Sequence, residues 1–121
     1  EAESYQGPSI IIAYSPCIGH GYNLRKSLNQ QKAAVLSGYW PLMRYNPELR
    51  KQGKNPFQLD SKSPSIPLEE YIYEENRYRI LTYSFPDIAR KFYHQAQKEV
   101  SNRWKLYQKW AENTEREEEN K

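Results

Sequence analysis

The stretch SIIIAYSPCIGHG, residues 9–21, decides which fold the sequence predicts. Its first half, Ile10–Tyr14, is an apolar run without polar alternation, which is typical of a central strand buried on both faces. The run ends in a turn rich in proline and glycine that carries a thiol, Cys17, and an imidazole, His20. Because open α/β sheets bind ligands just beyond the ends of their strands, this turn is where we expect a functional site.

The middle of the chain predicts one helix followed by two short strands. Asn23 is a candidate N-cap for a helix that runs to about Ser37 and stops at Gly38. The residues expected on one stripe of this helix are Leu24, Leu28, Gln31 and Val35. Leu42–Tyr45 and Phe57–Asp60 are the predicted strands, and prolines break any helix between residues 47 and 67.

Two helices are predicted to close the chain. The first runs from about Pro67 to about Tyr83, and the second from the capping sequence at Ser84 to Ala111. The first helix carries its apolar residues at helical spacing, and these are Leu68, Tyr71, Ile72, Tyr78 and Leu81. Its acidic residues predict a solvated face, made of Glu69, Glu70, Glu74 and Glu75.

These elements predict an α/β fold with one buried strand, short additional strands and a mainly helical C-terminal half. We expect residues 1–65 to form a strand–loop–helix part and residues 66–111 to add a helical pair to the same domain. Residues 112–121, which are rich in glutamate, are expected to be a charged tail that frays into solvent. The first residue is not methionine, and we expect the chain to be cut from something longer.

Composition limits the classes of function. The 121 residues are enough for one small domain, and the net charge of +3 is too small to indicate nucleic-acid binding. One cysteine forms no internal disulfide, which fits the cytoplasm or another reducing compartment. No stretch predicts a transmembrane helix or a signal peptide, so we expect neither a membrane location nor secretion.

Three interpretations of Cys17 are open from the residues alone. It can be a buried structural thiol, a nucleophile with His20 as its base, or a metal ligand. The proline before it and Gly19 and Gly21 after it favour exposure of the sulfur on a tight turn. One thiolate fills only one of the four positions that an iron–sulfur cluster offers, so a ligand role requires thiolates from elsewhere.

Three motifs in order carry a resemblance to a known family. They are GPSIIIAYSPCIGHG at residues 7–21, SGYWPLMRYNP at residues 37–47 and GKNPFQLDSK at residues 53–62. Together they resemble the C-terminal part of pyruvate:ferredoxin (flavodoxin) oxidoreductase, at the end of its thiamine-diphosphate-binding α/β domain. The likeness runs from Glu1 to about Ala111.

The resemblance implies a role for the turn. Cys17 would supply the last of four thiolates to the [4Fe-4S] cluster nearest the thiamine, and His20, Gly19 and Gly21 would lie around that ligand. No catalytic residue would lie in this segment, which alone would be inactive. Gly19 stands where relatives often carry alanine or asparagine.

The resemblance also implies partners. The remainder of the parent enzyme would hold thiamine diphosphate and Mg²⁺, and would oxidatively decarboxylate pyruvate with CoA to acetyl-CoA and CO₂. Ferredoxin or flavodoxin would accept the electrons, and full chains would form a homodimer. The alternative is a non-catalytic interaction module derived from the same domain, with the last two helices as its docking surface.

Overall fold

The computed structural model describes residues 1–112, so the predicted tail at 112–121 lies outside the described residues except for its first position. The helices and strands, in chain order, are α1 (Ser27–Leu36), β1 (Met43–Tyr45), β2 (Phe57–Leu59), α2 (Leu68–Ile72), α3 (Asn76–Ser84) and α4 (Pro86–Glu112). Short 3₁₀ turns occupy Ile18–His20, Leu24–Lys26 and Pro47–Gln52. The mixture of helix and strand, with a mainly helical C-terminal half, agrees with the prediction.

The predicted buried strand at Ile10–Tyr14 is wrong for the described structure. The segment forms no strand, and Ile10, Ile11 and Ile12 are 86%, 79% and 77% exposed. Within the described part of the chain, no backbone N–H of residues 9–15 donates a hydrogen bond to another backbone group. A strand needs a neighbour to pair its N–H and C=O groups, and the two strands that form here pair with each other instead.

The two predicted short strands are present. β1 and β2 run antiparallel, and each is one residue shorter than predicted, because Leu42 and Asp60 lie outside them. The paired positions are Met43 with Leu59, Arg44 with Gln58, and Tyr45 with Phe57. The Arg44 guanidinium donates to both carboxylate oxygens of Asp60, at 2.9 and 2.7 Å, and holds the pKa of Asp60 below its usual value. This contact ties the strand ends together.

Helix α1 buries a different face from the predicted one. Leu24 and Leu28 are 60% and 80% exposed, whereas Gln30 and Ala34 are only 4% and 1% exposed. The Asn23 side chain caps a 3₁₀ turn rather than α1 itself. A 3₁₀ turn has 3.0 residues per turn instead of 3.6. It therefore changes which side of the following helix faces the core.

The predicted end of this helix is confirmed. Gly38 takes a left-handed conformation with φ of 75°, and its N–H donates to the Val35 carbonyl at 3.0 Å. A Cβ at this position would lie 2.8 Å from Cγ of Pro64. Both the backbone conformation and the close approach therefore require glycine.

The predicted helical pair is instead three helices. The first expected helix breaks after Ile72, and α3 begins at Asn76. Between them Glu75 is extended, with φ of −94° and ψ of 126°, and is fully buried. The second break is at Phe85, because Pro86 has no N–H to continue α3 and starts α4 instead.

One core joins the two parts of the chain. Its buried cluster consists of Ala34, Leu68, Tyr71, Ile72 and Val100, from α1, α2 and α4. Tyr14, Tyr39 and Trp40 pack against it from the N-terminal part. The predicted boundary between residues 65 and 66 remains a prediction, and residues on both sides of it share this core. Among residues 1–112, no helix is both long and apolar enough to cross a membrane.

Candidate functional site

Cys17 opens the 3₁₀ turn Ile18–His20, and its side chain is exposed. The Gly19 N–H donates to Sγ of Cys17 at 3.4 Å, and the His20 N–H donates to the Cys17 carbonyl at 2.9 Å. The turn therefore presents an accessible sulfur and not a buried structural thiol.

The two glycines of this turn differ in what they require. Gly21 is left-handed, with φ of 72°, and a Cβ there would lie 2.6 Å from Cβ of Asn76. The Asn76 N–H also donates to the Gly21 carbonyl at 2.8 Å, so the turn is tied to the start of α3. A Cβ at Gly19 would lie 3.6 Å from Sγ of Cys17, which is ordinary contact. Glycine is thus required at 21, whereas alanine fits at 19.

The His20 imidazole faces the protein interior. Its Nδ1 lies 3.7 Å from Oε2 of Glu75, and its side chain is 28% exposed. The hydrogen bonds of the described residues include none between this imidazole and Sγ of Cys17. A nucleophilic cysteine needs such a contact with its base, so this geometry does not support the interpretation as a thiol enzyme.

Glu75 is the centre of a buried polar network. Its Oε2 accepts from Nε of Arg77 at 2.6 Å, and its Oε1 accepts from Nε2 of Gln30 at 3.3 Å and from the Tyr71 hydroxyl at 3.4 Å. The carboxyl group is fully buried. Burial of a carboxylate is tolerated only when a cation and donors compensate for the lost water, and these three side chains do so.

Tyr71 extends this network to the segment before the turn. Its hydroxyl lies 2.5 Å from the hydroxyl of Tyr14, and its carbonyl accepts from Nε2 of Gln30 at 3.0 Å. Burial, the Tyr14 hydroxyl and the nearby Glu75 carboxylate raise the pKa of Tyr71 far above its usual value. Burial also raises the pKa of Tyr14. Both phenols therefore remain neutral hydrogen-bond donors at physiological pH.

Sequence reasoning missed Glu75. Together with Glu69, Glu70 and Glu74 it was predicted to lie on a solvated face, and the other three are exposed as predicted. The available signal was its position four residues after Tyr71, the spacing at which helical side chains meet. That signal was weak because many exposed carboxylates share it.

The described residues offer one thiol to a metal. Residues 1–112 contain no group of three or more His, Cys, Asp or Glu side chains that could hold a metal ion. Cys17 fits an iron–sulfur cluster as a single ligand, because its sulfur is accessible and accepts a backbone N–H. The remaining ligands would have to come from outside this segment.

Comparison with known proteins finds similarity to oxidoreductases. No family model matches it. Its relatives are large enzymes, and the chain spans only about 9% of the length of the first curated relatives that it matches. Similarity covers about nine-tenths of the chain, so the chain corresponds to one segment of such an enzyme.

The relatives described here are named as enzymes of pyruvate. A pyruvate-flavodoxin oxidoreductase of Nostoc sp. is 56% identical over 108 residues, which are 89% of this chain and 9% of that protein. A pyruvate:ferredoxin oxidoreductase of Moorella thermoacetica is 47% identical over 112 residues, 93% of this chain and 10% of that protein. A mitochondrial pyruvate dehydrogenase of Euglena gracilis named for NADP(+) is 42% identical over 114 residues, 93% of this chain and 6% of that protein. The resemblance predicted from the three motifs is thus confirmed.

Proposed function

We propose that this chain works as a segment of a pyruvate:ferredoxin or pyruvate-flavodoxin oxidoreductase, where Cys17 supplies one thiolate to a [4Fe-4S] cluster. The observation that carries the proposal is the exposed sulfur on a turn whose Gly19 N–H donates to it. The similarity to pyruvate oxidoreductases over about nine-tenths of the chain supports the same assignment. When bound, the cluster would supply electron transfer to the parent enzyme, with Cys17 as one of its ligands.

The chain's own contribution is to hold and tune this ligand. The Gly19 N–H withdraws electron density from the sulfur, and such hydrogen bonds raise the reduction potential of iron–sulfur centres. The turn is held in place by the bond between Asn76 N–H and the Gly21 carbonyl. Thiamine diphosphate, Mg²⁺, pyruvate and CoA would bind to the rest of the parent enzyme, which would also supply the other three thiolates and the dimer contacts.

The exposed isoleucines support assembly with that remainder. Three consecutive residues, Ile10 to Ile12, are each more than three-quarters exposed. An apolar, β-branched segment of this kind loses favourable burial of about 1.5–3 kcal/mol per side chain while it faces water. A location in the thiamine-diphosphate-binding domain of the parent would cover it with neighbouring strands.

The electron acceptor differs among the relatives. Their names include flavodoxin, ferredoxin and NADP(+), although the matched segment is similar in all of them. We therefore propose ferredoxin or flavodoxin as the acceptor on the basis of the more similar relatives. The choice of acceptor would be made by other parts of the parent enzyme.

The test is substitution of Cys17 in the complete oxidoreductase. Cys17→Ala is expected to abolish the electron paramagnetic resonance signal of one cluster and the reduction of ferredoxin, while pyruvate binding persists. Cys17→Ser is expected to keep a weakened cluster, because an alkoxide is a harder and poorer ligand for iron than a thiolate.

Ser15→Ala is the matched control, since Ser15 precedes the cysteine by two residues on the same exposed segment. Iron content, the resonance spectrum and acceptor reduction are compared across the three variants. Near-normal ferredoxin reduction with an intact cluster signal in Cys17→Ala would show that the assigned role is wrong. It would favour the non-catalytic interaction module.

A further inference from the structure

We propose that Glu75 is the positioning residue of the Cys17 turn, and that it acts through a hydrogen bond from His20. The effect of Glu75 on the turn is inferred from the geometry of the chain alone. Its effect on a cluster rests on the proposed function. Glu75 lies at the break between α2 and α3, with its extended backbone directing the side chain into the interior.

The Glu75 carboxylate can accept one more hydrogen bond and His20 Nδ1 has none within residues 1–112, and this points to a bond between them. A carboxylate has about four acceptor positions, and Glu75 uses three of them for Arg77, Gln30 and Tyr71. The Nδ1 atom of His20 is buried and has no hydrogen-bond partner among the described residues. Nδ1 of His20 lies 3.7 Å from Oε2 of Glu75, roughly 0.8 Å beyond the usual N–H···O distance.

The network holds both flanks of Cys17. Before the turn, the hydroxyl of Tyr14 is hydrogen-bonded to the hydroxyl of Tyr71, and the Tyr71 hydroxyl donates to the Glu75 carboxylate. After the turn, the Gly21 carbonyl accepts from the N–H of Asn76, the residue that follows Glu75. The His20 bond would add a third attachment inside the turn, on the same side of the protein.

The bond has a defined chemical consequence. With Nδ1–H donating to Glu75, the imidazole ring of His20 would have one orientation. The backbone N–H of His20 is hydrogen-bonded to the Cys17 carbonyl at 2.9 Å, so the ring and the cysteine are joined by one short turn. A ring held at Glu75 would therefore hold the backbone of the turn that carries Cys17 and the Gly19 N–H that donates to its sulfur.

Hydrogen exchange of the complete oxidoreductase measures the attachment. Glu75→Gln replaces a carboxylate oxygen by an NH₂ group, which cannot accept from Arg77 or from His20. The amides of Gly19 to Gly21 are then expected to exchange at least about tenfold faster, which is the lower limit for the loss of one hydrogen bond to a charged group. Glu74→Gln is the matched control, because Glu74 is 49% exposed and pairs with Lys26 at the surface.

His20→Ala tests the same bond from its other end. This substitution keeps the hydrogen bonds of Arg77, Gln30 and Tyr71 to Glu75. It therefore tests the proposal even if Glu75→Gln does not fold. The same amides are expected to exchange at least about tenfold faster, and the double variant no faster than either single one. Wild-type exchange in His20→Ala, or full additivity in the double variant, would overturn the proposal.

The reduction potential of the cluster separates positioning from general support of the fold. Both single variants are expected to shift this potential and its resonance spectrum relative to Glu74→Gln. Faster exchange with an unchanged potential would show that Glu75 stabilises the turn without positioning the ligand. If Cys17→Ser leaves the spectrum unchanged, the proposed function fails, whereas the exchange results still decide whether Glu75 holds the turn.

Discussion

Cys17 and Glu75 occupy environments opposite to those their residue types usually have. A lone cysteine is commonly buried, yet Cys17 is exposed, and glutamate is commonly exposed, yet Glu75 is fully buried. Each exception has a physical cause in its neighbours. The Pro/Gly turn holds the cysteine at the surface, and the Arg77 guanidinium at 2.6 Å compensates for the burial of the glutamate.

Alkaline pH is expected to destabilise the fold through Tyr78. Burial and the neighbouring Tyr39 raise the pKa of Tyr78 from 10.0 to about 12. The folded state therefore keeps a proton that the unfolded state releases, so the stabilisation is complete below about pH 10 and is lost as the pH rises to about 12. The free energy of unfolding, measured by urea titration, should therefore fall between about pH 10 and about pH 12. The decrease should be smaller in Tyr78→Phe than in the unsubstituted chain.

Tyr83→Phe is the control for this prediction, since the ring of Tyr83 is 78% exposed. Its pH dependence should follow that of the unsubstituted chain. If the curve of Tyr78→Phe also follows the unsubstituted chain, burial of Tyr78 is not the source of the alkaline loss.

At the scale of elements, short caps and breaks decide which faces are buried. The 3₁₀ turn at Leu24–Lys26 changes the phase of α1, so Ala34 enters the core in place of Leu28. The break after Ile72 divides one predicted helix into α2 and α3 and directs Glu75 inward. Apolar spacing was therefore a better guide to where helices lie than to which side of them is buried.

Two leucine-to-alanine variants, one in α2 and one on the predicted stripe of α1, test which of the two leucines the core buries. Leu68 is 1% exposed, and Leu68→Ala is expected to lower the free energy of unfolding by about 2–5 kcal/mol. Leu28 is 80% exposed, and Leu28→Ala is expected to change it by less than about 0.5 kcal/mol. Denaturant titration followed by circular dichroism compares the two. Equal losses would mean that α1 packs through the predicted stripe after all.

At the scale of the whole molecule, the apolar surface is unevenly covered. A small core holds the helices together, whereas Ile10 to Ile12, Leu28 and Phe92 are all more than half exposed. The sheet consists of two strands, and a pair of strands is at best marginally stable in water without packing partners. The stability of the 121-residue chain therefore depends mainly on packing between α1, α2, α3 and α4.

Hydrogen exchange should distinguish the chain alone from the chain within its proposed parent. In the 121-residue chain, the amides of Ile10 to Ala13 are expected to exchange at nearly unprotected rates, because within residues 1–112 they donate no backbone hydrogen bonds. The amides of α4 around Val100 should be protected. In the complete oxidoreductase the first group should become protected as well, through pairing with strands of the parent.

Strong protection of Ile10 to Ala13 in the chain alone would contradict this expectation. It would indicate that the chain forms a self-sufficient domain with a strand at this position. Thermal melting gives an independent check, since a chain with so small a core should melt over a broad range of temperature.

The sequence by itself determined the elements whose signals are local. The stop of α1 at Gly38, the two short strands and the tight turn around Cys17 all follow from backbone preferences of a few adjacent residues. The three motifs were also sufficient to predict the resemblance to pyruvate oxidoreductases, which the comparisons confirm. Neither kind of signal depends on distant parts of the chain.

Only the tertiary structure decided which residues are buried and which meet. Ile10–Tyr14 has every local property of a buried strand, yet its three isoleucines remain exposed because pairing needs a neighbour that the described residues do not place beside them. Glu75 looks like a solvated residue, yet it is buried because Gln30, Tyr71 and Arg77 converge on it from separate positions in the chain. Burial is a property of the surroundings, and those surroundings are assembled from residues far apart in sequence.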